Sequence, residues 1–194
     1  MSRRGFWIAA LIALTALGSA AAAQEEKLRE EYRAFGVAMG PGAAGVLDIV
    51  ITRWSTEEER KLLIDTLVQK DQEETVKLLR KQEETGFVRT QSGVGRYPSV
   101  RLHYAYQRQL EGKRRVVLVT DRPIGMGEAM RNPRSTEYDI SAVIMEFYQE
   151  DGKDKGEGTL LVGAKLAFDK EENKLEVESL GSQPVRLTNI KREK

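Results

Sequence analysis

The stretch VRLHYAYQRQLEGKRRVVLVT, residues 100–120, decides the fold. Val100, Leu102, Tyr104, Tyr106 and Leu110 alternate with Arg101, His103, Gln107 and Gln109, a period of two that marks a strand with one wet face. Glu111-Gly112-Lys113 predicts a hairpin turn into a second strand over Arg115 to Thr120. Both strands are long for a globular protein, so a twist or bulge is expected within them.

Downstream the same period continues. Residues Tyr138 to Gln149 set Ile140, Ala142, Ile144 and Tyr148 opposite Val143, Met145 and Phe147. With both faces apolar, this strand is expected at the centre of the sheet, one face under helices and the other against a second layer or a ligand. Asp151 to Glu157 is a polar turn, and Gly158 to Phe168 one strand with Leu160, Val162, Ala164 and Leu166 in phase. Leu175 to Leu180 and Val185 to Ile190 complete the series. Asp121 to Pro133, with its prolines and glycines, is a loop holding one helical turn at Glu128 to Arg131. Short turns and the lack of a βαβ rhythm indicate an antiparallel meander.

Upstream, VLDIVITR (46–53) reads as a strand ended by Trp54. Ser55-Thr56-Glu57-Glu58 then forms a capping box between Ser55 and Glu58, opening a helix to about Val68 whose stripe is Leu63 and Leu67 with Ile64 and Leu62. Asp71 with Glu74 caps a second helix, residues 72–84, carrying Val76, Leu79 and Leu78, with Gly86 as its left-handed terminator. Phe87 and Val88 begin a short strand. Two helices this short need a sheet to cover. The expected fold is α+β: a curved antiparallel sheet or partly open barrel of seven to eight strands covered by an N-terminal helical hairpin.

Residues 1–23 carry the marks of a signal peptide: Arg3 and Arg4, an apolar run from Phe6, and Ala21-Ala22-Ala23 as a small-residue cleavage site. The mature chain is then expected in the periplasm or outside the cell, with no integral membrane segment once the signal is cleaved. Residues 24–45 read as an N-terminal tether and Gly-rich lead-in, the first part a short amphipathic turn, and 46–194 as a single domain. Gly40-Pro41-Gly42-Ala43-Ala44-Gly45 spells G-x-G-x-x-G, but it precedes a strand instead of opening a helix, so it reads as lead-in rather than a nucleotide loop.

Composition removes several classes of function. Without residues 1–23 the chain has 29 Lys plus Arg against 30 Asp plus Glu, a net charge of −1, which gives no reason to seek nucleic acid or anionic lipid. Lys113-Arg114-Arg115 is only a brief hairpin patch. The absence of cysteine rules out disulfides, thiol chemistry and thiolate metal sites. His103 is the only imidazole, so histidine-rich metal centres are excluded too, and no serine or acid beside it completes a catalytic constellation. No cofactor, metal ligand set or catalytic residue is called for, and the pattern leans away from an enzyme.

Three segments carry a resemblance: Arg53-Trp54-Ser55-Thr56-Glu57-Glu58-Glu59-Arg60, Thr120-Asp121-Arg122-Pro123-Ile124-Gly125, and Ser182-Gln183-Pro184-Val185-Arg186-Leu187-Thr188-Asn189. In these the chain resembles an uncharacterised group of exported bacterial proteins with no assigned activity. The resemblance implies export and one compact domain.

Asp121-Arg122 at a strand end, stiffened by Pro123, is the best local candidate for an anion clamp. The alternative is that Asp121 caps its turn and Arg122 pairs with a neighbouring carboxylate. Arg53, Trp54 and Arg186 join the candidates if the terminal strand lies near. The leading expectation is a non-catalytic module for a small apolar or amphipathic ligand, held on a concave sheet partly roofed by the helices. A structural or protein-interaction domain of the cell envelope comes second, and a hydrolase with a carboxylate-based site third.

Overall fold

A computed structural model describes residues 29–38, 44–92, 95–96, 99–125, 140–171, 174–179 and 184–193. In chain order the elements are β1 (Glu30–Ala38), β2 (Ala44–Ile51), α1 (Glu57–Gln69), α2 (Gln72–Lys81), β3 (Gly86–Ser92), β4 (Gly95–Arg96), β5 (Val100–Leu102), β6 (Tyr104–Leu110), β7 (Lys113–Thr120), β8 (Ser141–Glu150), β9 (Lys153–Val162), β10 (Ala164–Asp169), β11 (Lys174–Ser179) and β12 (Val185–Arg192). The large sheet runs β4-β3-β2-β1-β12-β9-β8-β7-β6, with β5 also on β3, while β10 and β11 form a separate hairpin. Every pairing among these strands is antiparallel.

The stretch 100–110 nearly closes the sheet into a barrel. Its first part, β5, pairs with β3 through Gly86↔Leu102, and its second, β6, pairs with β7 through Tyr104↔Val119. His103 alone separates the two, so the irregularity expected in this long strand is a change of partner. Leu102, His103, Tyr104 and Ala105 are consecutively buried there, because the strand turns a different face inward on each side of the break.

Strand alternation divides the apolar side chains between two cores. Leu47, Ile49, Val116, Leu118, Val143, Met145, Leu160 and Leu187 fill the barrel interior. Tyr104, Val119, Ala142 and Leu161 point outward and are covered by Leu63, Val76 and Leu79 of the helices and by Ala164 and Leu166 of β10. Strand β8 is thus buried on both faces over residues 141–143, as its sequence predicts, while Ile144, Glu146 and Tyr148 farther along its outer face are half-buried. The helices, however, pack the outer face of the sheet and do not roof its concave side, which is filled by its own side chains. The expected ligand space beneath the helical hairpin is therefore occupied by packed residues.

Residues 30–38, read as tether and lead-in, form β1, which pairs with β2 on one side and β12 on the other. The cap of α1 is Thr56 with Glu59, not Ser55 with Glu58: Thr56 Oγ1 accepts from the Glu59 amide at 3.2 Å, and Glu59 Oε2 accepts from the Thr56 amide at 2.9 Å. Ser55 is taken by the barrel, its Oγ accepting from the Ala105 amide at 3.1 Å. Leu63 is the one buried residue of α1, whereas Leu62 is exposed. Asp71 caps α2 as expected, but that helix ends on an extended Gln82, and Gly86 opens β3.

The single strand expected over 158–168 is two. Gly163 has φ 67, a left-handed conformation that glycine adopts without strain, and it breaks the chain between β9 and β10. Leu160 and Val162 stay in the barrel while Ala164 and Leu166 join the helix-facing core. Ala44 and Gly45 of the G-x-G-x-x-G letters start β2, and the rest of that motif lies outside the described residues, as do the proposed helical turn at 128–131 and residues 1–23.

Candidate functional site

At the barrel end where β1 and β3 begin and β2 and β12 finish, the inward side chains form a polar layer. Tyr32 comes from β1, Arg114 from β7 and Phe147 from β8, while Trp54 follows the end of β2. Arg114 shares the inward phase of Val116 and Leu118, so its guanidinium enters the barrel and needs partners there. Its Nη2 donates to Glu30 Oε2 at 2.8 Å and its Nε to Gln107 Oε1 at 2.8 Å. The guanidinium also lies 5.6 Å from the Trp54 ring centroid and 5.9 Å from that of Phe147, within cation–π range.

Glu30 is the hub of this layer. It is buried, accepts from the Tyr32 hydroxyl, and has Arg192 Nη2 at 3.5 Å. Burial pushes its carboxyl up, but the bonds from Tyr32 and Arg114 and the charges of Arg114 and Arg192 outweigh this and hold it below the usual glutamate value. The Tyr32 phenol is pushed up to about 12, by burial first and by donation to Glu30 second. Near neutral pH the layer is therefore an ionised acid, a protonated phenol and two guanidinium groups.

A pocket of about 690 Å³ opens over this layer. Tyr32, Phe147, Tyr148 and Ile190 give it an apolar floor, and Lys113, Lys155 and Lys191 stand with Arg114 and Arg192 around it against one acid, Asp154. Strand register creates the space. β12 stays on β1 to Tyr32↔Arg192 but leaves β9 after Leu187↔Gly158, although β9 extends back to Lys153. A bulge with Asn189 at φ 51 lets Ile190 turn inward over Gly156 and Gly158.

The residues nominated from sequence fall in separate places. Asp121 is buried at the end of β7, where Arg80 Nε donates to its Oδ2 at 3.0 Å and Arg122 Nε and His103 Nε2 each lie 3.4 Å from its Oδ1. Burial raises its carboxyl, yet Arg80, Arg122 and His103 together bring it below the ordinary aspartate value. His103 Nδ1 faces the Gln82 carbonyl at 3.3 Å. Both ring nitrogens thus meet acceptors, and the imidazole, read as lying on a wet face, is buried in a latch joining α2 to the barrel seam.

Arg53 forks onto Glu59 with two bonds of 2.9 Å and donates to the Glu83 carbonyl at 2.8 Å, tying the helix start to the α2–β3 connection. Arg186 is exposed on the outer face of β12, 3.9 Å from Glu157, beside a second pocket of about 420 Å³. Only Trp54 of the nominated residues touches the barrel-end layer. Glu30, Tyr32 and Arg114 were not nominated. The signal for Arg114 was its parity with Val116 and Leu118. For Glu30 no local signal marks a charged cluster, since the two arginines it meets come from β7 and β12 and only Tyr32 is a neighbour in sequence.

Among the described residues no group of three metal-ligating side chains converges, and no helix is long and apolar enough to cross a membrane. No protein-family model, curated protein or solved structure matches the chain.

Proposed function

We propose that the chain is an exported, non-catalytic domain that takes a small amphipathic ligand into the barrel-end pocket. The carrying observation is the pocket itself: about 690 Å³, within the range of small-molecule sites, with aromatic floor and converging polar groups. The interior and the helix–sheet interface are filled, so this end supplies the space that the concave sheet does not. Export rests on the pattern of residues 1–23. Titration with the neutral probe N-phenyl-1-naphthylamine tests the reading. Saturable fluorescence enhancement, lost on filling the pocket from its exposed lining position with Gln109→Trp, is expected; no uptake of it or of a charged analogue counts against ligand binding.

An envelope protein-interaction domain is the second reading, favoured by Phe35 and Val37, which stand 42% and 43% exposed on the outer face of β1. Crosslinking in the cell that captures a defined partner through β1 would support it. A hydrolase gains little, because the Asp121–His103 pair has its imidazole nitrogens turned to acceptors and its carboxylate engaged by arginines.

A further inference from the structure

We infer that the ligand of the barrel-end pocket is an anion with an aromatic or aliphatic body, its charged group held between Lys155 and Lys191. The inference rests on the ligand-binding reading above and names the chemistry of that site. The cations around the pocket are not equivalent. Arg114 and Arg192 are committed to Glu30, and Lys113 Nζ bonds Glu146 Oε2 at 2.7 Å. Among the described residues Lys155 pairs with Glu150 at 3.5 Å, with both side chains about half exposed, and such a pair contributes little. Lys191 pairs with no carboxylate among the described residues, and the pocket's own acid, Asp154, accepts from Gln149.

The backbone brings these two lysines to one rim. A Cβ on Gly156 would sit 2.4 Å from the Ile190 carbonyl oxygen, so past the last β9–β12 pair Ile190 leans onto the β9 backbone, and Lys155 and Lys191 are the next residues on either chain. Directly inside them lie Ile190 and Phe147, whose ring stands 5.1 Å from that of Tyr32. A charged head between two ammonium groups with its body on these rings satisfies both halves of the site. A cationic head would meet the ammonium groups of Lys155 and Lys191 beside three cations already paired with Glu30 and Glu146. Carboxylate, sulfonate and phosphate monoester heads share the required chemistry.

Two naphthylamine probes that differ by a charge test this: 8-anilinonaphthalene-1-sulfonate and neutral N-phenyl-1-naphthylamine. The sulfonate should bind at least about tenfold tighter at low ionic strength, the advantage shrinking between about 20 and about 500 mM salt. In Lys155→Gln/Lys191→Gln, both exposed positions, the advantage should vanish while the neutral probe binds as before. Laurate should displace the sulfonate probe from the unmodified protein more effectively than dodecanol does. Equal affinity for both probes, or an unaltered preference in the double variant, overturns the anion assignment and leaves the ligand-binding reading standing. Failure of both probes overturns both.

Discussion

Asp121→Asn keeps the size of the side chain at the barrel seam and removes its charge. The carboxylate is 4% exposed and engages Arg80, His103 and Arg122, so the variant loses one charge-assisted bond at 3.0 Å and two weaker contacts at 3.4 Å. A hydrogen bond to a charged group contributes about 1.5–3 kcal/mol. Arg80 and Arg122 are 50% and 59% exposed and regain water when released, which places the loss at about 1–2 kcal/mol. For a domain of this size that lowers Tm by about 2–8 °C.

The pH dependence has a definite sign. Because the folded carboxyl is held below its ordinary value of 3.8, its stabilisation is present above that value and fades as pH falls through the folded one. Urea unfolding followed by circular dichroism should therefore separate the two proteins at pH 7 and bring them together in acid. Equal midpoints at pH 7, or a gap that widens on acidification, would refute the latch.

Two further substitutions test packing. Gly158→Ala would place a Cβ 2.3 Å from the Ile144 carbonyl oxygen and 3.1 Å from Ile190 Cδ1, and should cost about 1–3 kcal/mol of unfolding free energy; a variant as stable as the parent would show that Gly158 is not pressed between the β8 backbone and Ile190. Leu63→Ala should cost about 2–5 kcal/mol and Leu62→Ala less than about 0.5 kcal/mol, since the first is fully buried and the second 51% exposed; a reversed order in denaturant titrations would mean that α1 is rotated from its described face.

Strands were legible where both of their faces, or one consistently, are buried by neighbours. β7 and β8 read correctly because Val116 and Leu118, then Val143 and Met145, keep phase along uninterrupted ladders. β1 did not. Its inward residues Tyr32 and Ala34 are flanked by Glu31, Arg33 and Phe35, and beyond its hairpin with β2 it is held by pairing with β12, about 150 residues away. The helix cap shows the same limit at short range. Ser55–Glu58 and Thr56–Glu59 fit the capping box equally well as letters, and the Ala105 amide decides between them by claiming Ser55. The barrel-end layer was hidden because Glu30 meets Arg192 through that pairing and meets Arg114 only across the barrel from β7.

Those same long-range pairings make the pocket. A barrel whose interior is filled by Leu, Ile, Val and Met has no room for a ligand at its centre. Space arises only where adjacent strands separate, and here β12 parts from β9 while remaining hydrogen-bonded to β1. The cost of that separation is two unpaired strand edges, and Gly156 and Gly158 reduce it by letting Ile190 pack directly on the β9 backbone. Closing the pocket by lengthening the β9–β12 ladder would drive Ile190 out of the core and break the bulge at Asn189. Stability and the proposed ligand site are therefore coupled through one residue: a substitution that relaxes Ile190 should alter probe binding even though no charged group has moved.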